Sequence, residues 1–238
     1  MSRAAEARDL LARIARDCRP VALASSLSAE DMLLADLIAR ERLPIGVFVL
    51  DTGRLHGDTL ALVGRLEARY GIRVDIFRPR PEAVQEYVLR SGRDGFYRDP
   101  ELRRKCCAIR KVEPLARALA GKRAWITGLR RGQSAARTGV RVEEWDDAHG
   151  LKKFSPLADW REDEVWDYLR RNEAPTNPLY DQGYRSIGCA PCTRPVVAGE
   201  DPRAGRWWWE REGNGECGIH FSPDGKIIRE KAKAESVP

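Results

Sequence analysis

Short apolar runs alternate with amphipathic stretches along the first half of the chain. Residues 21–24, 45–50, 74–77 and 124–127 are mostly apolar and of strand length. Around and between them, residues 4–18 place Leu10, Leu11 and Ile14 at helical spacing, and residues 29–40, 59–70 and 82–89 read as further helices. This alternation predicts right-handed βαβ units: an α/β, Rossmann-like fold with a mostly parallel sheet and helices on both faces. Beyond residue 137 the pattern weakens. Residues 140–145 and 152–154 read as a hairpin, and residues 162–170 as an amphipathic helix with Val165, Trp166 and Leu169 on one face. From Asn172 onward Pro and Gly accumulate, as in a loop that wraps a cofactor. Trp207-Trp208-Trp209 reads as apolar surface packing the C-terminal segment onto the body.

In a parallel sheet, ligands bind beyond the carboxyl ends of the strands. Three loops there are rich in small and polar residues: residues 25–31, Asp51-Thr52-Gly53, and residues 128–137. Ser25, Ser26 and Ser28 precede a helix, where backbone N–H groups and hydroxyls favour an anion. The loop lacks the glycines and the Lys-Ser/Thr pair of a Walker loop, which disfavours a simple phosphate-loop ATPase.

The length of 238 residues suits one α/β domain with a tail, divided here as 1–198 and 199–238. The formal charge of +6 is modest, and much of it sits in local groups. Arg103-Arg104-Lys105, Arg110-Lys111, and Arg203 with Arg206 fit a small polyanion better than a nucleic acid. Acidic runs at Glu143-Glu144 and Asp146-Asp147 argue the same way. The N-terminal residues have no apolar signal-peptide core, and no long apolar run follows. A cytoplasmic, reducing environment is the expectation, with no membrane partner.

Cysteine placement changes the picture most. Five of the six cysteines form three patterns: Cys106-Cys107, Cys189-Ala190-Pro191-Cys192, and a lone Cys217. Adjacent Cα atoms lie about 3.8 Å apart, too close for an unstrained disulfide. The two pairs supply four thiolates, the number that a zinc or iron–sulfur site needs. Adjacent ligands are awkward on one tetrahedral ion and easier on different irons of a cluster, so the residues favour a 4Fe–4S site while leaving zinc open. Cys106 and Cys107 are expected at or near the start of a helix running to about residue 120. The sixth, Cys18, has no motif and is read as an inert thiol.

Several segments together resemble the assimilatory adenylylsulfate (APS) reductases, within the family that also holds the phosphoadenylylsulfate (PAPS) reductases. They are residues 105–115 (KCCAIRKVEPL), 128–134 (GLRRGQS), 189–194 (CAPCTR) and 216–220 (ECGIH). The resemblance runs from about residue 22 to residue 220, and the tail motif reads Ile219 where the family usually has Leu. It implies an adenine nucleotide alpha hydrolase-like core with a mobile C-terminal tail. It also implies one 4Fe–4S cluster per subunit on Cys106, Cys107, Cys189 and Cys192. Cys217 would be the nucleophile, with His220 beside it. Lys111, Arg203 and Arg206 would meet the sulfate and phosphate. Ser25, Ser26, Ser28, Asp51, Thr52, Gly53, Gly128 and Arg130 would form the nucleotide-binding segments.

The implied reaction is reduction of APS to sulfite and AMP, in sulfate assimilation and cysteine biosynthesis, with thioredoxin as reductant. Cys217 attacks the sulfur, AMP leaves, and an S-sulfocysteine remains. The cluster cysteines point to APS, with PAPS or dual specificity as the alternative. Arg211 to Glu216 includes two glycines around Asn214, a hinge by composition. An ATP-pyrophosphatase or tRNA thiolase would need a Ser-Gly-Gly-x-Asp-Ser type loop, which is absent. A metal-binding nucleic-acid module would need a broad basic surface. A homo-oligomer is compatible with the sequence.

Overall fold

The computed structural model describes residues 2–210, so Cys217, His220 and the rest of the tail lie outside the described residues. Six strands form one sheet: β1 (Val21–Ser25), β2 (Gly46–Leu50), β3 (Val74–Phe77), β4 (Ala124–Ile126), β5 (Glu143–Asp146) and β6 (Leu151–Phe154). Their order is β3-β2-β1-β4-β6-β5, all neighbours parallel except the β5–β6 hairpin. The helices are α1 (Arg3–Asp17), α2 (Ala29–Arg40), α3 (Gly57–Tyr70), α4 (Pro81–Ser91), α5 (Pro100–Cys107), α6 (Glu113–Leu119) and α7 (Glu162–Arg171).

The period of two along each strand sorts the core into two layers. Val21, Leu23, Val47, Val49, Ala124 and Ile126 face one way, onto α1, α2, α3 and α7. Ala22, Phe48 and Trp125 face the other, onto Leu115, Ala118 and Leu119 of α6. Both faces are therefore covered, as the alternating pattern predicts. Cys18 is buried in the first layer with its thiol free. Among the described residues no helix is long and apolar enough to cross a membrane.

Two expectations need correction. Cys106 and Cys107 close a helix rather than open one. Asp99 caps α5 by accepting from the Glu101 amide, Pro100 takes the first helical turn, and the chain then widens into a π turn (Ala108–Val112) before α6. The hairpin also starts later than its apolar pattern suggests. Val140 is buried with Leu129 and Ala158 in a separate small cluster, against which Val142 packs, and the ladder begins at Glu143.

The strand order fixes where a ligand can enter. From β1 the chain steps outward through β2 and β3, then returns to lay β4 on the other side of β1. The loops leaving β1 and β4 part there and open a crevice at the carboxyl edge of the sheet.

Candidate active site

That crevice is a cavity of about 230 Å³. Ser25, Ser26, Ser28, Thr52, Lys111, Gly128, Arg130, Arg203 and Arg206 all line it, so most of the proposed substrate residues converge. Asp51 and Gly53 do not. The Asp51 carboxylate is occupied by the Gly53 amide (3.0 Å) and by Nε of Arg78 (2.9 Å). These two residues build the turn that presents Thr52.

The loop after β1 is organised by Asp31, a residue whose role the serine pattern hides. Its carboxylate accepts from the Ser26 amide (2.7 Å), the Ser26 hydroxyl (2.7 Å), the Ser28 hydroxyl (3.2 Å) and the Gly128 amide (3.1 Å). One side chain thus ties the β1 loop to the β4 loop across the crevice. Burial pushes its carboxyl up to about 6, against the Ser26 and Ser28 hydrogen bonds and with the help of neighbouring Glu30. The Ala29 amide at the start of α2 donates to the Tyr180 hydroxyl (2.9 Å). The serine hydroxyls therefore shape the loop, where the sequence alone suggests that they donate to a ligand. The signal was present: Ser28-x-x-Asp31 has capping-box spacing with an acid in the last position.

Beside Asp31, Glu30 accepts from Nε of Arg130 at 2.8 Å, both side chains being buried, and Arg130 also donates to the Trp160 carbonyl (3.3 Å). Breaking such a pair costs about 3–5 kcal/mol, because one charge is left buried alone. Gly128 lies hard against this knot. A Cβ there would sit 2.4 Å from Oδ1 of Asp31 and 2.8 Å from Cβ of Glu30. Gly128→Ala is expected to cost about 1–3 kcal/mol of stability, read as a lowered urea midpoint. An unchanged midpoint would contradict this packing.

The π turn after α5 aims two adjacent cations differently. Arg110 donates to the Thr52 carbonyl (2.7 Å) and pins the turn after β2. Lys111 lines the crevice and also a second, smaller pocket of about 20 Å³. Single π turns recur at functional sites because the extra residue re-aims its neighbours.

The second pocket brings together Cys106, Cys107, Cys189 and Cys192, from two segments 82 residues apart in the chain (189 minus 107). None is in a disulfide, and three are buried with Cys106 half-buried. Arg54, Arg103, Arg110 and Lys111 line the same pocket, and Phe96 and Trp207 close it. The Cys189–Cys192 loop is fixed by an Ala190 amide bond to the Arg54 carbonyl (2.7 Å) and by the Tyr97 hydroxyl on the Pro191 carbonyl (2.7 Å). The Thr52 hydroxyl and Cys189 sulfur lie 3.2 Å apart, joining the crevice loop to the thiols. Burial pushes the Cys192 thiol up to about 12; Cys189 adds to this, while Lys111 and Arg206 oppose it. Cys106 is also raised, first by burial.

The crevice is walled on its far side by residues 185–188 and 202–206. Ser186 accepts from Arg206 (3.2 Å) and from Arg203 (3.5 Å). Gly188 makes room for Arg206: a Cβ would meet its Nη2 at 2.5 Å. The buried Nε of Arg206 has no hydrogen-bond partner among the described residues, and its guanidinium lies over the Trp207 ring.

Residues 20–195 match the model of the phosphoadenosine phosphosulfate reductase domain. The chain belongs to that family. A protein named adenosine 5'-phosphosulfate reductase from Allochromatium vinosum is 53% identical over 225 residues, 93% of this chain and 88% of its own length. One of the same name from Neisseria meningitidis is 54% identical over 211 residues, 88% of this chain and 86% of its own. Among solved structures, a phosphoadenylyl-sulfate reductase from Candida auris superposes with a TM-score of 0.69 at 26% identity, over 79% of this chain and 90% of that one. An FMN adenylyltransferase from Candida glabrata, 14% identical with a TM-score of 0.56 over 84% of this chain and 67% of its own, shares the fold alone.

Proposed function

We propose that the chain is an adenosine 5'-phosphosulfate reductase of this family, forming sulfite and AMP. The observation that carries this is identity of 45–54% to relatives of that name over most of the chain. The crevice supports it with a cavity of about 230 Å³ whose walls carry Lys111, Arg203 and Arg206 among six cationic side chains.

The four paired cysteines fit a 4Fe–4S cluster. Their donors are all soft sulfur, none is consumed in a disulfide, and four cations surround them in one pocket. Adjacent cysteines are easier ligands for different irons of one cluster than for a single tetrahedral ion. Cys106, Cys107, Cys189 and Cys192 would hold it, tying α5 to the 189–192 loop. When bound, such a cluster supplies fixed charge and rigidity beside the crevice.

The chemistry belongs to the chain's own residues. The Cys217 thiolate attacks the APS sulfur, and the bond from sulfur to the phosphate oxygen breaks. AMP leaves with the bonding pair and Cys217 carries a sulfonate. Lys111, Arg203 and Arg206 mask the negative charge that a thiolate must approach, and a cationic surround lowers a thiol pKa. A thiolate of thioredoxin then attacks the Cys217 sulfur, expelling sulfite with its bonding pair. The second thioredoxin thiol resolves the mixed disulfide, so the dithiol provides both electrons. His220 orients the reacting groups. Segment 199–238 carries both the crevice arginines and Cys217; its part beyond Glu210 presents Cys217 to substrate and then to thioredoxin, and the setting is cytoplasmic.

The test is sulfite release from APS and PAPS in parallel, using iron-replete protein and reduced thioredoxin. Sulfite and AMP in equal amounts from APS, at the higher kcat/KM, are expected. Turnover of PAPS alone, or AMP without sulfite, would overturn the reading.

A further inference from the structure

Trp207 stands where three parts of the molecule meet. Its ring lies 4.5 Å from the guanidinium carbon of Arg103 and 4.6 Å from that of Arg206. Arg103 is on α5, one turn before the cysteine pair, and Arg206 lines the crevice. The Trp207 amide donates to the Cys192 carbonyl (3.3 Å), and its carbonyl accepts from the Glu210 amide (2.9 Å). Arg103 completes the knot with a forked pair to Glu210: Nε to Oε1 at 2.5 Å and Nη2 to Oε2 at 3.2 Å. Both partners are almost fully enclosed, at 6% and 7% side-chain exposure.

Two features say that this is more than surface packing. Trp207 holds φ +47, a left-handed conformation that bulky residues avoid and that persists only where the surroundings over-determine it. The pair is also enclosed, and so depends on mutual geometry far more than the exposed ion pairs elsewhere on this chain. Glu210 stands seven residues before Cys217, a span of at most about 23–25 Å. Where Glu210 is held therefore limits where Cys217 can go.

We propose that Arg103 and Glu210 are positioning residues, which through Trp207 fix the Arg206 guanidinium at the crevice and set the point from which the segment bearing Cys217 departs. The proposal rests on the reading of Cys217 as nucleophile. Because Arg103 shares α5 with Cys106 and Cys107, it also links the cysteine pocket to the nucleophile's point of departure.

The experiment is single-turnover sulfonation of Cys217 by saturating APS without reductant, followed by intact-protein mass spectrometry. The proteins are wild type, Glu210→Gln, Arg103→Gln and the double variant. Glu210→Gln is expected to slow sulfonation about 10- to 100-fold, the usual effect of slight misplacement. In Glu210→Gln iron content should stay within threefold of wild type, and saturating APS keeps any loss of phosphate affinity at Arg206 out of the rate. The double variant should be no slower than Arg103→Gln, which already removes the ion pair together with the stacking on Trp207. Should Arg103→Gln fail to fold, Glu210→Gln alone decides. A rate within twofold of wild type, or a rate lost only in proportion to iron, would overturn the positioning role. Wild type that gains no sulfonate at Cys217 would instead overturn the nucleophile reading, and this proposal with it.

Discussion

Cys217→Ser leaves no measurable sulfite release, a loss of at least about 10³–10⁴-fold, while AMP binding and iron content are retained. The expectation has two independent grounds. A serine hydroxyl is almost wholly protonated at neutral pH, whereas a thiol beside cations is substantially thiolate. Even if serine were sulfated, the second half of the reaction would stop, because thiol exchange needs a sulfur at the acceptor. The body should be untouched, since serine differs from cysteine by one atom of similar size and adds no charge. Cys18 makes the contrast: it is buried in the main core, so its replacement should alter stability and leave chemistry alone. Sulfite release by Cys217→Ser within tenfold of wild type would sink the assignment.

Lys111→Ala is expected to lower kcat/KM for APS about 10²- to 10³-fold, the scale for losing one preorganised electrostatic contact. Lys111 lines both the crevice and the cysteine pocket and draws down the proton affinity of Cys192. Its side chain therefore borders both the crevice and the cysteine thiols. Arg110 next to it cannot substitute, because its guanidinium is committed to the Thr52 carbonyl at 2.7 Å. Steady-state kinetics with iron assayed in parallel checks this. A fall of less than fivefold with iron intact would remove Lys111 from the charge-masking set.

The sheet was legible because its strands are short apolar runs separated by amphipathic helices, and those periods survive in sequence. The convergence of the three loops follows from the strand order that such a pattern implies. The placement of the vicinal cysteines was not legible. Residues 100–107 (PELRRKCC) carry charge and no apolar period, so only the Asp99-Pro100 start marked a helix there. The division of labour inside motifs was hidden too. Asp51 and Gly53 shape a turn, and the Ser26 and Ser28 hydroxyls serve Asp31. Sequence shows which residue types gather but not which partner claims each donor. The far wall at residues 185–188 comes from loops with no period, so beyond Arg203 and Arg206 it could not be foreseen. The Arg103–Glu210 pair spans 107 positions, and nothing local announces it.

The central claim is that Cys217 carries the sulfur. Intact-protein mass spectrometry of wild type, incubated with APS and no reductant and then mapped by peptide, tests it most directly. One added sulfonate on Cys217, removed by reduced thioredoxin with release of one sulfite, is the predicted result. A sulfonate on another residue, or sulfite formed with Cys217 unmodified throughout, would contradict the account.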